Sequence, residues 1–148
     1  MKRKKIILLF ILIAIAVAAW YGYREYSRTN RDLKNIRPDY TLSAASLISE
    51  YEGGDSAAAR KYNGRIIEVN GFVKKIDKDE HGFYTIVLGD TVSLSAVRCS
   101  MDTTHNSDAA SLTAGSSAIV RGACTGFNKD EMGLGSDVIL NRCAIIKQ

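Results

Sequence analysis

The chain has 148 residues, enough for one domain with its own core and too few for two large ones. Hydrophobic residues make up 46% and charged residues 24%, which excludes a wholly disordered chain. The formal charge of +4 belongs to the N-terminal tip, Lys2, Arg3, Lys4 and Lys5; from Tyr62 onward nine Lys and Arg face ten Asp and Glu, so the basic footprint of an ordinary nucleic-acid-binding domain is missing.

Ile6 to Tyr21 is a run of sixteen residues with no charge, Gly or Pro. As a helix it would span roughly 24 Å, a little short of a hydrocarbon core of about 30 Å. Gly22 and Tyr23 extend it, flanking Lys and Arg side chains can snorkel, and Trp20, Tyr21 and Tyr23 suit an aromatic interface belt. Positive charge before the run places the N-terminus in the cytoplasm, with the remainder exported as a single-pass cell-membrane protein, periplasmic or extracellular. A cleaved leader competes with a retained anchor. Ala14-Ile-Ala16 and Ala16-Val-Ala18 have the small-x-small form, but both lie inside the apolar run, which favours the anchor. The expected organisation is a tip and anchor over 1–23, a polar stalk over 24–42 and a folded domain over 43–148.

Within the domain, Ser43 to Glu52 reads as a short helix capped by Ser43 and ended by Gly53-Gly54. Asp55 to Tyr62 reads as a second, with Asp55 as its cap. From Arg65 the period changes to two. The first strand, Arg65 to Ile76, carries Ile67, Val69, Gly71 and Val73 on one face, and its phase slips at Lys74-Lys75, the mark of a bulge. Phe83 to Leu88 is the second strand. Gly89-Asp90 signals a two-residue hairpin into a third, Thr91 to Met101. A short helix over Asp108 to Ala114 separates these from strands over Ser117 to Phe127 and Asp137 to Ile146. The fold class is therefore mainly β. The order β-β-β-α-β-β with a glycine in the middle of a long first strand is the plan of a five-stranded OB-fold Greek-key barrel, here preceded by two short helices and a transmembrane helix.

The segments Tyr62-Asn-Gly64, Val69-Asn-Gly-Phe-Val73, Val97-Arg-Cys99, Gly122-Ala-Cys-Thr-Gly126 and Asp137-Val-Ile-Leu-Asn-Arg-Cys143 resemble the tRNA-anti-like family of OB-fold proteins. The resemblance covers roughly Ser43 to Ile146 and rests on scattered Gly and Cys positions. It implies the barrel and carries over no catalytic residue.

Three cysteines, Cys99, Cys124 and Cys143, form no C-x-x-C. Alternation puts Cys124 and Cys143 on inward faces of neighbouring strands, so an oxidising compartment would allow a Cys124–Cys143 disulfide; Cys99–Cys143 and three packed thiols are the alternatives. His81 precedes Tyr84 as His-x-x-Tyr, not the His-x-x-x-Tyr of membrane-anchored haem chaperones, so a haem or metal carrier is a minor alternative and no cofactor is expected. Gly133-x-Gly135 joins two strands and makes no phosphate cradle. No nucleophile has an identifiable base, and a non-enzymatic binding module is expected. Its ligand face, by the OB pattern, holds Lys74, Lys75, Phe83, Tyr84, Ser93, Ser95 and Arg98. The expected partners are the membrane and a protein, peptide or small ligand. Single-stranded nucleic acid is the alternative, disfavoured by the charge balance and the few aromatic residues.

Overall fold

The computed structural model describes residues 13–23, 32–130, 132 and 135–147. Residues 13–23 are helical with exposed side chains. The rest of the expected apolar span, 6–12, lies outside the described residues, as do 24–31 of the stalk. Among the described residues no helix is long and apolar enough to cross a membrane. Asp32–Gln148 forms a compact unit of its own.

Its strands are β1 (Tyr40–Ser43), β2 (Ile66–Lys78), β3 (Tyr84–Leu88), β4 (Ala96–Met101), β5 (Ser117–Asn128) and β6 (Asp137–Lys147). They follow the order β1-β2-β3-β4-β6-β5, and β2 pairs again with β5. Strands β2 to β6 thus close a five-stranded barrel, and β1 adds a short parallel strand beside Ile67–Asn70. Closure depends on β2 serving two partners. Its first half, Ile66–Phe72, pairs antiparallel with β5; its second half, Val73–Lys78, pairs with β3, and the register shifts between Val73 and Lys75 where the sequence phase slips. Gly71 sits at the changeover. A Cβ there would lie 3.0 Å from Ala44 Cβ and 3.5 Å from Leu88 Cβ, so the missing side chain lets a helix and a neighbouring strand approach the bend.

The helices α1 (Ala44–Gly53) and α2 (Asp55–Tyr62) pack against the barrel through Leu47, Ile48, Tyr51, Ala58 and Tyr62. Ser43 caps α1, its Oγ accepting from Ser46 N–H at 3.1 Å. Gly54, not Asp55, is the residue before α2. Tyr51 stacks on Phe127 at 5.0 Å and Tyr40 meets Tyr62 edge-on at 5.1 Å. The core continues through Ile67, Val69, Ile86, Leu88, Val97, Val120, Val138 and Leu140, all essentially without exposure.

Three sequence expectations are corrected. The two-residue hairpin and the strand from Thr91 are not formed: Gly89–Ser95 is a loop and β4 begins at Ala96. Asp90 Oδ1 accepts from Val92 N–H at 3.3 Å, an Asx turn that competes with the ladder, and Lys74 Nζ donates to the carbonyl oxygens of Ser93 and Ser95. The helix at Asp108 is a 3-10 helix over Asn106–Ser111. The described part of the stalk belongs to the domain. Leu33, in a 3-10 turn over Leu33–Asn35, is buried, Asp39 exchanges hydrogen bonds with Ile66, and Tyr40–Ser43 is β1.

Candidate functional site

The outward faces of β3 and β4 are set by alternation. Ile86 and Leu88 point inward, so Thr85 and Val87 lie on the outer face, opposite Ser100 and Arg98, where Val87 is itself covered. Lys75 of β2 is paired with Val87. Lys75 and Arg98 therefore lie on the predicted face, and each has a carboxylate of the same molecule. Lys75 pairs with Asp77 at 2.7 Å and Arg98 Nε with Asp137. Lys74 is committed to the loop carbonyls. Phe83, 43% exposed, stands at the margin of the face, and Ser93 is exposed in the 89–95 loop.

Two predicted residues are not on the face. Tyr84 shares the phase of Ile86 and packs against the core, with Lys78 Nζ 5.1 Å from its ring centroid. Ser95 is buried, and its Oγ donates to Glu52 at 2.6 Å and accepts from Ser136 N–H at 3.1 Å. That hydroxyl ties α1, the start of β4 and the start of β6 together, which is a structural duty.

What sequence reasoning missed is an apolar tip. Val92 is 87% exposed, Leu94 68% and Met132 86%. Val92 and Leu94 stand on the 89–95 loop, where Gly135, at φ +99° ahead of β6, lies against Leu94; a Cβ at Gly135 would overlap the Leu94 carbonyl. Phe72, 59% exposed, lies nearby through its carbonyl, which accepts from Gly89 N–H. It also lines a cleft of about 320 Å³ with Ser43, Ala44, Asn70 and Asp90. The available signal was Gly89-Asp90 followed by Ser93 and Ser95, turn-forming residues that argue for a loop.

The cysteines are free and buried. The expected Cys124–Cys143 bridge is not formed, because β5 and β6 are offset by register shifts that set Cys124 opposite Leu140. Cys124 Sγ instead lies 3.2 Å from the Tyr51 hydroxyl, which donates to Asn63 Oδ1 at 2.8 Å. Burial pushes the Cys124 thiol and the Tyr51 phenol up from their ordinary ranges. Cys143 is raised further, by burial and then by the adjacent Cys99 thiol. His81 is exposed in a turn in which Asp79 Oδ1 accepts from its N–H. Among the described residues no three His, Cys, Asp or Glu side chains are placed to hold a metal ion.

A closed five-stranded barrel with a bent, doubly paired first strand, short helices beside it and a 3-10 helix between β4 and β5 defines an OB-like domain. The sequence profile of the tRNA-anti-like family matches residues 1–143, and the chain belongs to that family. No curated protein sequence matches it. Among solved structures it is similar to a Klebsiella pneumoniae lipoprotein whose name supposes nucleic-acid binding, with 14% identity, 72% of this chain and 91% of that one covered, and a TM-score of 0.56. The Stn1–Ten1 complex of S. pombe (20% identity, 56% and 59% covered, TM-score 0.37) and an Entamoeba histolytica aspartyl-tRNA synthetase (9% identity, 76% and 26% covered, TM-score 0.43) are more distant. At these identities the likeness speaks for the fold alone.

Proposed function

We propose that this protein is a non-enzymatic, membrane-tethered OB-barrel module, exported from the cytoplasm, that takes a protein or peptide ligand at the apolar tip. One contrast carries the reading. Lys74, Lys75 and Arg98, the cations that would track phosphates, each have partners within the molecule, whereas Val92, Leu94 and Met132 are largely exposed. Val92 and Leu94 share one loop, and exposed apolar side chains set that close together suit a protein surface. From Asp32 onward the chain has 13 Lys and Arg against 15 Asp and Glu, a net of −2, so long-range attraction to a polyanion is absent. The tether is supported by Lys2 to Lys5 followed by the apolar run from Ile6 to Tyr21.

A photo-crosslinking residue at Val92 or Leu94 should give discrete protein adducts in intact cells, and the same residue at Lys75 should not. Equal adducts at all three sites would reject the tip as the ligand surface. Single-stranded nucleic acid is the second reading, favoured by the exposed rings of Phe72 and Phe83. In a fluorescence-anisotropy titration the full chain should bind single-stranded DNA or RNA no tighter than the non-specific range of about 10⁻⁴–10⁻⁶ M at physiological salt. Submicromolar affinity, weakened by Phe83→Ala and Arg98→Ala, would replace the first reading with the second. For topology, a reporter fused after Gln148 should be active only if it works outside the cytoplasm; activity of a cytoplasm-only reporter would reject export.

A further inference from the structure

Both ring nitrogens of His105 face carboxylates. Nε2 lies 2.8 Å from Asp32 Oδ1, and Nδ1 lies 3.5 Å from Asp108 Oδ2. A neutral imidazole has one N–H to offer Asp32; the imidazolium has two and carries a charge that both carboxylates attract. The ring is 15% exposed and joins two elements far apart in sequence, the 3-10 helix over Asn106–Ser111 and the strap over 32–36 through which the chain enters the barrel. The charged groups around it come from every element packed there. Lys34 Nζ reaches Asp108 Oδ2 at 3.3 Å, Asp102 follows β4, and Arg142 of β6 lies 4.0 Å from Asp102. Arg121 of β5 donates to the carbonyl oxygens of Lys34 and Ile36 at 2.8 and 2.6 Å.

We propose that His105 is a proton-operated clasp on this strap. Protonated, it makes a charged hydrogen bond across to Asp32, with Asp108 of its own helix facing the second N–H, and holds residues 32–36 on the barrel; neutral, the contact to Asp32 loses its charge and the strap opens more often. Leu33 and Arg121 hold the strap in both states, so the clasp tunes an opening equilibrium and does not release the strap outright. The sign follows from the partners. The Lys34 N–H, and then His105, hold the Asp32 carboxyl below its ordinary range. The Thr104 N–H does the same for Asp102. Asp32, the partner on the strap, therefore stays ionised as the pH falls through the range in which an imidazole takes up its proton. The clasp is therefore closed where the imidazole is protonated, loosens as rising pH removes that proton, and is lost again only where the carboxylates protonate.

The readout is hydrogen exchange of the full chain, with intrinsic rates divided out, at the Lys34 and Ile36 amides. The first donates to Asp32 Oδ1 and the second to the Leu33 carbonyl oxygen. Protection at these amides should be about two- to fivefold lower at pH 8 than at pH 5.5, the size expected of a partly exposed charge pair. Amides of the β2–β5 ladder should not change. His105→Gln and, separately, Asp32→Asn should give low, pH-independent protection at the strap. Equal protection of the wild-type strap at the two pH values overturns the proposal, whatever the variants do, and so does pH dependence that survives in both variants.

Discussion

At the scale of single residues, the position that constrains the barrel most tightly is a glycine. Gly122 of β5 faces Cys143 of β6 so closely that a Cβ would overlap the Cys143 sulfur, and it would stand 3.2 Å from the Asn141 carbonyl oxygen and Leu140 Cβ. Backbone and a fully buried thiol cannot both yield. Gly122→Ala should therefore cost about 1–3 kcal/mol, the usual range for overpacking. Cys143→Ala in the same chain should recover part of the loss, because it removes the atom in collision. Urea unfolding of the four members of the cycle checks this, and independent, additive effects would mean that the two sites do not collide. The thiols give a second check. Three equivalents of a thiol reagent should react in denaturant without reduction, and one equivalent would mean that a bridge forms in the cell after all. The sequence made the inward placement of Cys124 and Cys143 legible through alternation. It could not show their partners, since Cys124 meets Tyr51 across a helix–barrel contact that no local period encodes.

At the scale of elements, β2 was legible almost completely. Its alternation, bulge and mid-strand glycine all carry local signatures, and the structure places each where the pattern does. Strand β4 was half legible. Val92, Leu94 and Ala96 alternate as a strand would, but the Asp90 side chain and the Lys74 ammonium capture the backbone groups that the ladder needs. That misreading concealed the apolar tip, because Val92 and Leu94 were assigned to a sheet. The strap and β1 were illegible for another reason. Residues 32–43 show no period, and their order comes from distant partners: Ile66 holds Asp39, Arg121 holds the strap carbonyls, and β1 lies parallel to β2. The domain accordingly begins at Asp32 and not at Ser43. Leu33→Ala should cost about 2–4 kcal/mol, since Leu33 is buried. A fragment starting at Pro38 should lose at least as much, because it also strips Arg121 of two acceptors; equal urea midpoints for the Pro38 and Asp32 fragments would reject the strap as part of the fold.

At the scale of the whole molecule, hydrogen bonds to carboxylates and burial of thiols and phenols set the pH range of stability. The carboxyls of Asp32, Glu50 and Asp102 are held below their ordinary range by hydrogen bonds from Lys34 N–H, Lys61 Nζ and Thr104 N–H respectively. Their contribution is complete above the ordinary carboxylate range and is lost as the pH falls below it. At the other limit, burial raises the Cys124 and Cys143 thiols above an ordinary value of 9.0 and the Tyr51 and Tyr62 phenols above 10.0. The unfolded chain gives up these four protons at lower pH than the folded one, so stability is intact below the ordinary values and declines as the pH climbs toward the folded ones. Urea midpoints should decline from about pH 5 to 8 by no more than the small share of the His105 clasp and fall steeply from about pH 9 upward, each group adding a slope of at most about 1.4 kcal/mol per pH unit. Tyr51→Phe isolates one share. It should lower stability at pH 7 by about 1 kcal/mol, through the lost hydrogen bond to Asn63, and make the decline above pH 10 shallower than in the wild type. A wild-type profile that stays level to pH 11 would mean that these thiols and phenols ionise freely in the folded protein, and that the seam between the α1–α2 pair and the barrel is open to water.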